Sequence, residues 1–241
     1  MARAISTIFF DFGGTLATIP TVINRPWKVW VEVARRFDVT LSETLVQHAI
    51  EATNEELRSQ IYRYLGRTEE YWQVFDHSVM DRLRIREKRE QIGPAVDAVF
   101  SDPTNRELYP DSRPVLDHLR AKGYHLGLIS NNNDILPKVL RHLGLSDLLE
   151  TVTYSQEVGA EKPAPEVFTT ALSRAHCTPS EAVHIGDSIR ADVEGAQKSG
   201  IQSIWINRGD RPGAVDCPII TTLNELPAVL ELMAHDSTAR K

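Results

Sequence analysis

The sequence predicts an α/β fold, in which a Rossmann-like parallel sheet is flanked by helices and carries an inserted all-helical cap domain. Two observations predict the sheet: apolar runs of strand length recur along the chain, and segments with helical periodicity separate the later runs. A third observation predicts the insert. Roughly ninety residues after the first run contain helical patterns but no convincing strand, which is too long for an ordinary connection.

Five apolar runs supply the predicted strands. They are rich in Ile, Val and aromatic residues, and each ends near a polar residue or a glycine. They cover Ile5–Phe10, Tyr124–Ile129, Thr151–Tyr154, Ala182–Ile185 and Gln202–Ile206. Because these runs contain few polar positions, they are typical of a parallel sheet that is covered on both faces.

Helical segments lie between the later runs. Their apolar spacing predicts helices over Pro114–Leu119, Ile135–Leu143, Glu166–Ala175 and Asp192–Ser199. We expect Asp134 to cap the second of these helices, and Gly144 and Gly200 stand where helices commonly stop. Strands that alternate with helices imply right-handed crossovers and a parallel sheet.

The segment between the first two strands predicts a second domain. Apolar residues recur at helical spacing in four stretches, around Trp30, Ala49, Phe75 and Val96. A parallel crossover usually needs one helix, so four helices exceed what the connection requires. We therefore expect residues 18–107 to form a helical cap inserted into a discontinuous core of residues 1–17 and 108–241.

Composition bears on the class of protein. Apolar residues make up 41% and charged residues 25%, which indicates a globular rather than a disordered chain. No run approaches the roughly 20 apolar residues of a membrane helix. The net charge of −6 argues against a general binder of nucleic acid or of anionic membranes. Cys177 and Cys217 have no metal-site spacing. We therefore expect a cytoplasmic protein that binds neither partner; its oligomeric state is left open.

Polar signatures follow four of the predicted strands. The first strand leads into Asp11 within FFDFGGTL, and the second leads into Ser130 and Asn131 within LGLISNNND. The third is followed by Lys162 within GAEKPAPEVF, and the fourth leads into Asp187 within VHIGDSIRADVEGA. Because ligands of open parallel sheets bind at the carboxyl ends of the strands, we expect these residues to converge.

The residue types at these strand ends suit phosphate chemistry. Asp11 directly follows a buried strand, which would hold its carboxylate rigidly, as a nucleophile requires. Gly13 and Gly14 allow the backbone to turn sharply and approach a ligand. Ser130 offers a hydroxyl and a backbone N–H near a helix start, where phosphate oxygens bind well. Lys162 offers a compact positive charge.

Charge balance supports a metal ion. Asp11 and Asp187 offer the hard oxygen ligands that Mg²⁺ prefers, and Asp192 adds a third carboxylate. A phosphate dianion would bring further negative charge, and like charges about 4 Å apart repel by several kcal/mol at an intermediate dielectric. Lys162 and Mg²⁺ would together supply three positive charges, which would allow the nucleophile to approach phosphorus.

The four motifs resemble those of a known family. FFDFGGTL, LISNNN, EKPAPEVF and HIGDSIRADVEGAQKSG look like the four sequential motifs of the haloacid dehalogenase superfamily. The resemblance spans nearly all of the predicted core, and the helical insert resembles that family's helical cap of the first type. It implies a phosphatase-like hydrolase that acts on a small phosphorylated molecule with Mg²⁺ as cofactor.

The resemblance also implies roles for single residues. Asp11 would be the nucleophile that forms an aspartyl-phosphate, with Ser130 and Lys162 as its catalytic partners. The implied phosphate-binding residues are Gly14, Ser130, Asn131 and Lys162. The implied metal site comprises Asp11, the backbone carbonyl of Gly13, Asp187 and Asp192. Of these, Asp192 is expected to orient metal-bound water more than to ligate the metal directly.

One position departs from the family's usual phosphatase pattern. That pattern has a second aspartate two residues after the nucleophile, where it protonates the leaving group and later activates water. Here Gly13 stands at that position. The backbone carbonyl that would ligate a metal is retained, but the side-chain general acid is not.

Other functions remain compatible with the sequence. A 2-haloacid dehalogenase uses an aspartate nucleophile on the same fold without Mg²⁺, although Asp187 and Asp192 favour a metal site. Loss of the general acid would also be compatible with a non-catalytic protein that binds a phosphate-containing ligand. Basic residues of the insert could hold a second anionic group of a substrate, although a solvated helix surface is the simpler interpretation. They are Arg58, Arg63, Arg67, Arg82, Arg84, Arg86, Lys88 and Arg89.

Overall fold

The structure is a computed structural model, and it describes residues 5–18, 25–57, 60, 68–209 and 211–239 of the 241-residue chain. The chain divides into two compact units, one of Met1–Thr18 with Arg106–Lys241 and the other of Ile19–Asn105. Within the described ranges, none of the helices combines the length and the apolar character that crossing a membrane requires.

The first unit is built on a six-stranded parallel sheet with the strand order β3-β2-β1-β4-β5-β6. The strands are β1 (Thr7–Phe10), β2 (His125–Ser130), β3 (Thr151–Tyr154), β4 (Ala182–Gly186), β5 (Gln202–Ile206) and β6 (Ile219–Ile220). The predicted α/β class is confirmed. Strand β6 was missed because two residues are too short for a periodic signal.

Ten α-helices lie in the described part of the chain. They are α1 (Pro26–Arg36), α2 (Glu43–Leu57), α3 (Thr68–Arg82), α4 (Arg89–Ser101), α5 (Ser112–Ala121), α6 (Leu136–His142), α7 (Ser155–Val158), α8 (Pro165–Arg174), α9 (Gly195–Lys198) and α10 (Leu226–Ala239). A π-helical turn, Ile189–Glu194, leads directly into α9, and short 3₁₀ turns cover Pro103–Asn105, Pro179–Glu181 and Leu223–Glu225.

One predicted helix cap and one predicted helix start were wrong. Asp134 does not cap α6; instead the side-chain oxygen of Asn133 accepts a hydrogen bond from the N–H of Ile135 at 3.2 Å. The helix predicted from Asp192 begins earlier, because the hydroxyl of Ser188 accepts from the N–H of Ala191 and starts the π-helical turn. A small polar side chain, Ser188, therefore caps the π-helical turn, whereas Ile135 takes the N-cap position of α6 without a side-chain cap.

Helices cover both faces of the sheet, as the apolar strands predict. Ile8 and Phe10 of β1 point to one face, where buried residues of α5, α6 and α10 pack with them. Phe9 points to the opposite face, where it packs with Phe168 of α8 and Ala196 of α9. Because β1 is central, the residue that follows it is surrounded by protein on both faces.

In its described residues, the second unit contains α1 to α4 and the 3₁₀ turn Pro103–Asn105, and it has its own apolar core. That core includes the buried side chains of Trp30, Val79 and Ile92, which come from α1, α3 and α4. The basic residues singled out in this segment differ in their surroundings. The side chain of Arg82 pairs with Glu56, and that of Arg89 pairs with Asp81 at 2.7 Å. Arg58, Arg63 and Arg67 lie outside the described residues.

Candidate active site

The predicted site residues meet at the carboxyl edge of the sheet. Asp11 directly follows β1, and its N–H donates to the carbonyl of Ile185 in β4 at 2.8 Å. Ser130 is the last residue of β2 and is buried, and Asp187 directly follows β4. Lys162 comes from the loop between α7 and α8 and lies against the central strands.

Lys162 is the centre of the buried charge network. Only 2% of its side chain is exposed. Its ammonium group donates to Oδ1 of Asp11 at 2.7 Å, to Oδ1 of Asp192 at 2.6 Å and to the carbonyl of Ile129 at 2.7 Å. An ammonium group has three hydrogens to donate, so these three acceptors saturate it.

Asn131 fixes the backbone from which Lys162 extends. Its side-chain oxygen accepts from the N–H of Lys162 at 2.7 Å, and its side-chain N–H₂ donates to the carbonyl of Lys162 at 3.0 Å. The oxygen and one N–H of the Asn131 amide are therefore engaged by the Lys162 backbone. The expectation that Asn131 binds phosphate stays a prediction.

Asp192 is held by donors from three directions. Its Oδ1 accepts from Lys162 and from Nε2 of His184 at 3.0 Å, and its Oδ2 accepts from the N–H of Ser188 at 2.9 Å. Although burial acts in the opposite direction, the charge of Lys162 and the bond from His184 hold the pKa of Asp192 well below its usual range. These contacts fit an orienting residue better than a direct metal ligand.

His184 completes this network from inside β4. Its side chain is fully buried, and burial lowers its pKa despite the bond to Asp192. The imidazole is therefore neutral near pH 7 and donates from Nε2 to the carboxylate.

Two glycines make room for the carboxylates. Gly14 has a φ of +83°, and a Cβ there would lie 2.6 Å from Oδ2 of Asp187. A Cβ on Gly186 would lie 2.1 Å from Cγ of Asp192. The N–H of Gly14 donates to the carbonyl of Ala17 at 2.8 Å, and the expectation that Gly14 binds phosphate stays a prediction. Gly14 also allows the turn and leaves space for the Asp187 side chain.

Arg211 holds Asp187 in place. Its guanidinium donates to the carbonyl of Asp187 at 2.7 Å and to Oδ2 at 3.1 Å, and the indole N–H of Trp205 donates to the same carbonyl. The side-chain amide of Asn207 both accepts from the N–H of Arg211 and donates to its carbonyl. About half of the Arg211 side chain, 49%, is exposed to solvent.

Arg208 anchors the loop that follows the nucleophile. It makes a two-pronged ion pair with Asp111, with both distances 2.9 Å, and donates to the carbonyl of Thr15. Its guanidinium carbon lies 3.9 Å from the ring centroid of Tyr109. Thr222 donates to the same Asp111 carboxylate. A planar guanidinium suits this combination of bidentate pairing and ring stacking.

The site carries an excess of buried negative charge. Burial, together with the charges of Asp192 and Asp187, raises the pKa of Asp11 to about 7, against the opposing effect of Lys162. Burial and the charge of Asp192 also raise the pKa of Asp187. A carboxylate that must attack as an anion would therefore benefit from a further positive charge at this place.

The donor set fits a small divalent cation. Asp11, Asp187 and Asp192 each offer a carboxylate oxygen, and these atoms all lie within 4.8 Å of one another. Oxygen donors of this kind suit Mg²⁺, which is bound by one or two carboxylates plus water and phosphate. Asp11 and Asp187 are the direct candidates, because the oxygens of Asp192 already accept protein hydrogen bonds.

Three residues of the site were not singled out from the sequence: His184, Arg208 and Arg211. Arg208 and the Asn207 that fixes Arg211 directly follow β5 in sequence, so applying the strand-end rule to the fifth strand would have found both. His184 lies within a strand, and no signal in a single sequence separates it from an ordinary buried histidine.

Comparisons with known proteins agree with the geometry. A family model described as haloacid dehalogenase-like hydrolase matches residues 5–200. The chain is 26% identical to a glyceraldehyde 3-phosphate phosphatase of Pyrococcus furiosus, over 99% of this chain and 97% of that protein.

Two solved structures are similar over almost the whole chain. The crystal structure of a HAD phosphatase from Thermococcus onnurineus has a TM-score of 0.65 and 28% identity, and it covers 94% of this chain and 98% of its own. The crystal structure of a 2-haloacid dehalogenase from Pseudomonas syringae pv. Tomato DC3000 has a TM-score of 0.73 and 26% identity, and it covers 95% and 99%.

Proposed function

Because the chain belongs to the haloacid dehalogenase-like hydrolase family, we propose that it is a Mg²⁺-dependent phosphatase that hydrolyses a small phosphorylated metabolite through an aspartyl-phosphate. The observation that carries this proposal is the cluster of three carboxylates within 4.8 Å of one another, two of which, Asp11 and Asp192, accept hydrogen bonds from the buried Lys162. The similarity to a glyceraldehyde 3-phosphate phosphatase supports a small phosphorylated substrate.

Asp11 is the nucleophile in this proposal. Lys162 binds Oδ1 of Asp11, which fixes the carboxylate and leaves Oδ2 to attack. A bond forms from Oδ2 to phosphorus while the bond from phosphorus to the leaving oxygen breaks, and the leaving group departs as an anion that takes its proton from solvent, because Gly13 has none to supply. Water then attacks the aspartyl-phosphate, releases inorganic phosphate and restores the carboxylate.

The other residues position the phosphoryl group and balance charge. Asp11, Asp187 and the carbonyl of Gly13 would hold Mg²⁺, which when bound would neutralise charge on the nucleophile and the phosphate. Ser130 and the backbone N–H of Asn131 would bind phosphate oxygens. Since its three hydrogens already have acceptors, Lys162 acts on the phosphate through its charge.

A second candidate function has one observation in its favour. The similarity to a 2-haloacid dehalogenase extends over the whole chain, and that chemistry would not need the general acid that Gly13 removes. The acidic cluster favours the phosphatase, because a dehalogenase without a metal would have no use for the charge of Asp187 beside that of Asp11.

The test compares two substrates with and without metal. Purified protein is assayed with p-nitrophenyl phosphate in Mg²⁺ and in excess chelator, and separately for chloride release from a 2-chlorinated carboxylic acid. We expect turnover of the aryl phosphate only with Mg²⁺, and no chloride release. Chloride release that survives the chelator would support the dehalogenase, and the absence of both activities would support a non-catalytic binding protein.

A further inference from the structure

His184 is the member of the site that the proposed chemistry does not use. It lies in the middle of β4, in register with Phe9 of β1, and its side chain is fully buried. Its strand neighbours Val183 and Ile185 are apolar and buried. An imidazole in this position loses the hydration of its polar nitrogens, so a compensating hydrogen bond is needed.

That hydrogen bond joins His184 to Asp192. Nε2 lies 3.0 Å from Oδ1, and an ionised carboxylate can only accept, so Nε2 carries the proton. The ring of Phe168 packs edge-on against the imidazole, with 5.5 Å between the ring centroids. The imidazole is therefore held both by its hydrogen bond and by a neighbouring side chain.

Asp192 transmits this restraint to Lys162. The same Oδ1 that accepts from His184 also accepts from Lys162 at 2.6 Å, and Oδ2 is held by the N–H of Ser188. Three donors from separate parts of the chain thus fix the carboxylate plane. The ammonium of Lys162 then reaches Oδ1 of Asp11 at 2.7 Å. A continuous chain of hydrogen bonds connects the interior of β4 to the nucleophile.

We propose that His184 is a positioning residue that acts through Asp192 and Lys162 to orient the Asp11 carboxylate. The inference rests on the proposed function, in which Asp11 attacks phosphorus. Without the donor at His184, the Asp192 carboxylate is free to turn, and Lys162 is less firmly held on Oδ1 of Asp11. Misorientation of a nucleophile slows the reaction step rather than the binding step, so kcat is affected more than KM.

The test uses two substitutions and a matched control. His184→Leu removes the donor and fills the buried position with an apolar side chain, whereas His184→Gln keeps an N–H donor. The control is Thr153→Val, because Thr153 is buried in β3 and its hydroxyl has no hydrogen-bond partner in the described structure. Each variant is assayed with p-nitrophenyl phosphate and Mg²⁺, and its melting temperature is measured.

We expect His184→Leu to lower kcat by about 10–100-fold with little change in KM, in line with the usual cost of losing such an outer hydrogen bond. His184→Gln should recover most of that loss, and Thr153→Val should retain wild-type turnover. A Leu variant with wild-type kcat would overturn the inference. So would a folded Gln variant that is as slow as the Leu variant.

A second measurement needs no turnover and no variant. Nitrogen-15 chemical shifts of His184 in the resting protein identify the protonated ring nitrogen, and we expect Nε2. Protonation at Nδ1 alone would overturn the inference even if His184→Leu fails to fold. A wild-type protein without phosphatase activity would refute the proposed function, whereas an active wild type with unaffected His184 variants would refute only the role of His184.

Discussion

At the scale of single residues, two asparagines fix the two cations that contact the acidic cluster. Asn131 follows β2 and binds the backbone of Lys162, and Asn207 follows β5 and binds the backbone of Arg211. Each amide accepts from and donates to the same residue. Because the backbone is already fixed, less conformational entropy is lost when the long cationic side chain is ordered on its carboxylate.

Arg211 and a metal ion would compete for the same carboxylate. The guanidinium lies 3.1 Å from Oδ2 of Asp187, and the proposed Mg²⁺ would bind the same carboxylate. Because the ion pair is half exposed, it contributes at most about 1 kcal/mol to holding the Asp187 side chain in place. We expect the repulsion between the guanidinium and a divalent ion to be larger than this contribution. We therefore expect Arg211→Gln to raise the affinity for Mg²⁺ severalfold, measured by titration calorimetry.

The matched control for this change is Arg190→Gln. Arg190 is exposed in the π-helical turn and lies three positions after Asp187 in sequence, so it tests whether any loss of positive charge nearby has the same effect. We expect a smaller change in that variant. Weaker Mg²⁺ binding in Arg211→Gln would show that Arg211 serves to order Asp187 rather than to compete with the metal.

At the scale of elements, the helical unit contains a second buried acidic group. Asp76 of α3 is buried, and Asp97 lies on α4. Burial and the negative charge of Asp97 raise the pKa of Asp76 to about 8. At neutral pH Asp76 therefore keeps its proton, which reduces the repulsion between this buried carboxyl group and the half-buried Asp97.

This raised pKa predicts a pH dependence of stability. The unfolded chain releases the Asp76 proton near pH 4, whereas the folded chain keeps it up to about pH 8. The contribution of Asp76 to the free energy of unfolding is therefore fully present below pH 4 and is lost as the pH rises towards 8. Asp76→Asn cannot titrate, so we expect it to be more stable than wild type by a margin that grows from pH 5 to pH 8.

Urea denaturation of wild type and variant at both pH values measures that margin. Asp81→Asn is the control, since it changes an exposed carboxylate of the same helix. A constant difference between Asp76→Asn and wild type across this pH range would mean that Asp76 is ionised in the folded state. That result would contradict the buried, protonated carboxyl group.

Some helices and strands were predicted accurately from the sequence, whereas the local contacts at their ends were not. Strands β3 and β5 were predicted to the residue, because clear breaks bound both runs. The cap of α6 was predicted wrongly because Asp134 is of a good capping type, whereas in the folded chain Ile135 takes the N-cap position. Which residue caps a helix depends on contacts in the folded loop, and a single sequence does not reveal those contacts.

At the scale of the whole molecule, the topology brings together residues that are far apart in the chain. Asp11 and Lys162 are separated by 151 positions in the sequence, yet Nζ of Lys162 lies 2.7 Å from Oδ1 of Asp11. The rule that ligands bind at strand ends predicted this convergence without knowledge of the strand order. It could not predict that Asn131 and Gly14 bind other parts of the protein, because hydrogen-bond partners within the site depend on the exact path of each loop.

The lack of an acidic side chain at Gly13 predicts how the rate of hydrolysis should depend on the leaving group of the substrate. Positioned acid–base catalysis typically contributes about 10²–10⁴-fold, and Gly13 has no side chain to supply it. We expect slow hydrolysis of alkyl phosphates, faster hydrolysis of aryl and acyl phosphates, and a steep dependence of kcat/KM on the pKa of the leaving group. A series of substituted phenyl and alkyl phosphates measures this slope.

Gly13→Asp provides the complementary experiment. If the missing acid limits the reaction, the variant should hydrolyse alkyl phosphates faster and show a shallower slope, while aryl phosphates change little. A flat dependence in the wild-type enzyme would contradict this interpretation. It would mean that another residue already protonates the leaving group.

In the proposed mechanism, Asp11 carries the phosphoryl group during turnover. The most direct measurement is mass spectrometry of protein that has been mixed with p-nitrophenyl phosphate and Mg²⁺ and quenched in acid within the first turnovers. We expect one added phosphoryl group on the peptide that contains Asp11, and none in Asp11→Asn, which should fold but not turn over. Active wild-type protein that never carries this group, or an Asp11→Asn variant that retains wild-type turnover, would contradict the account.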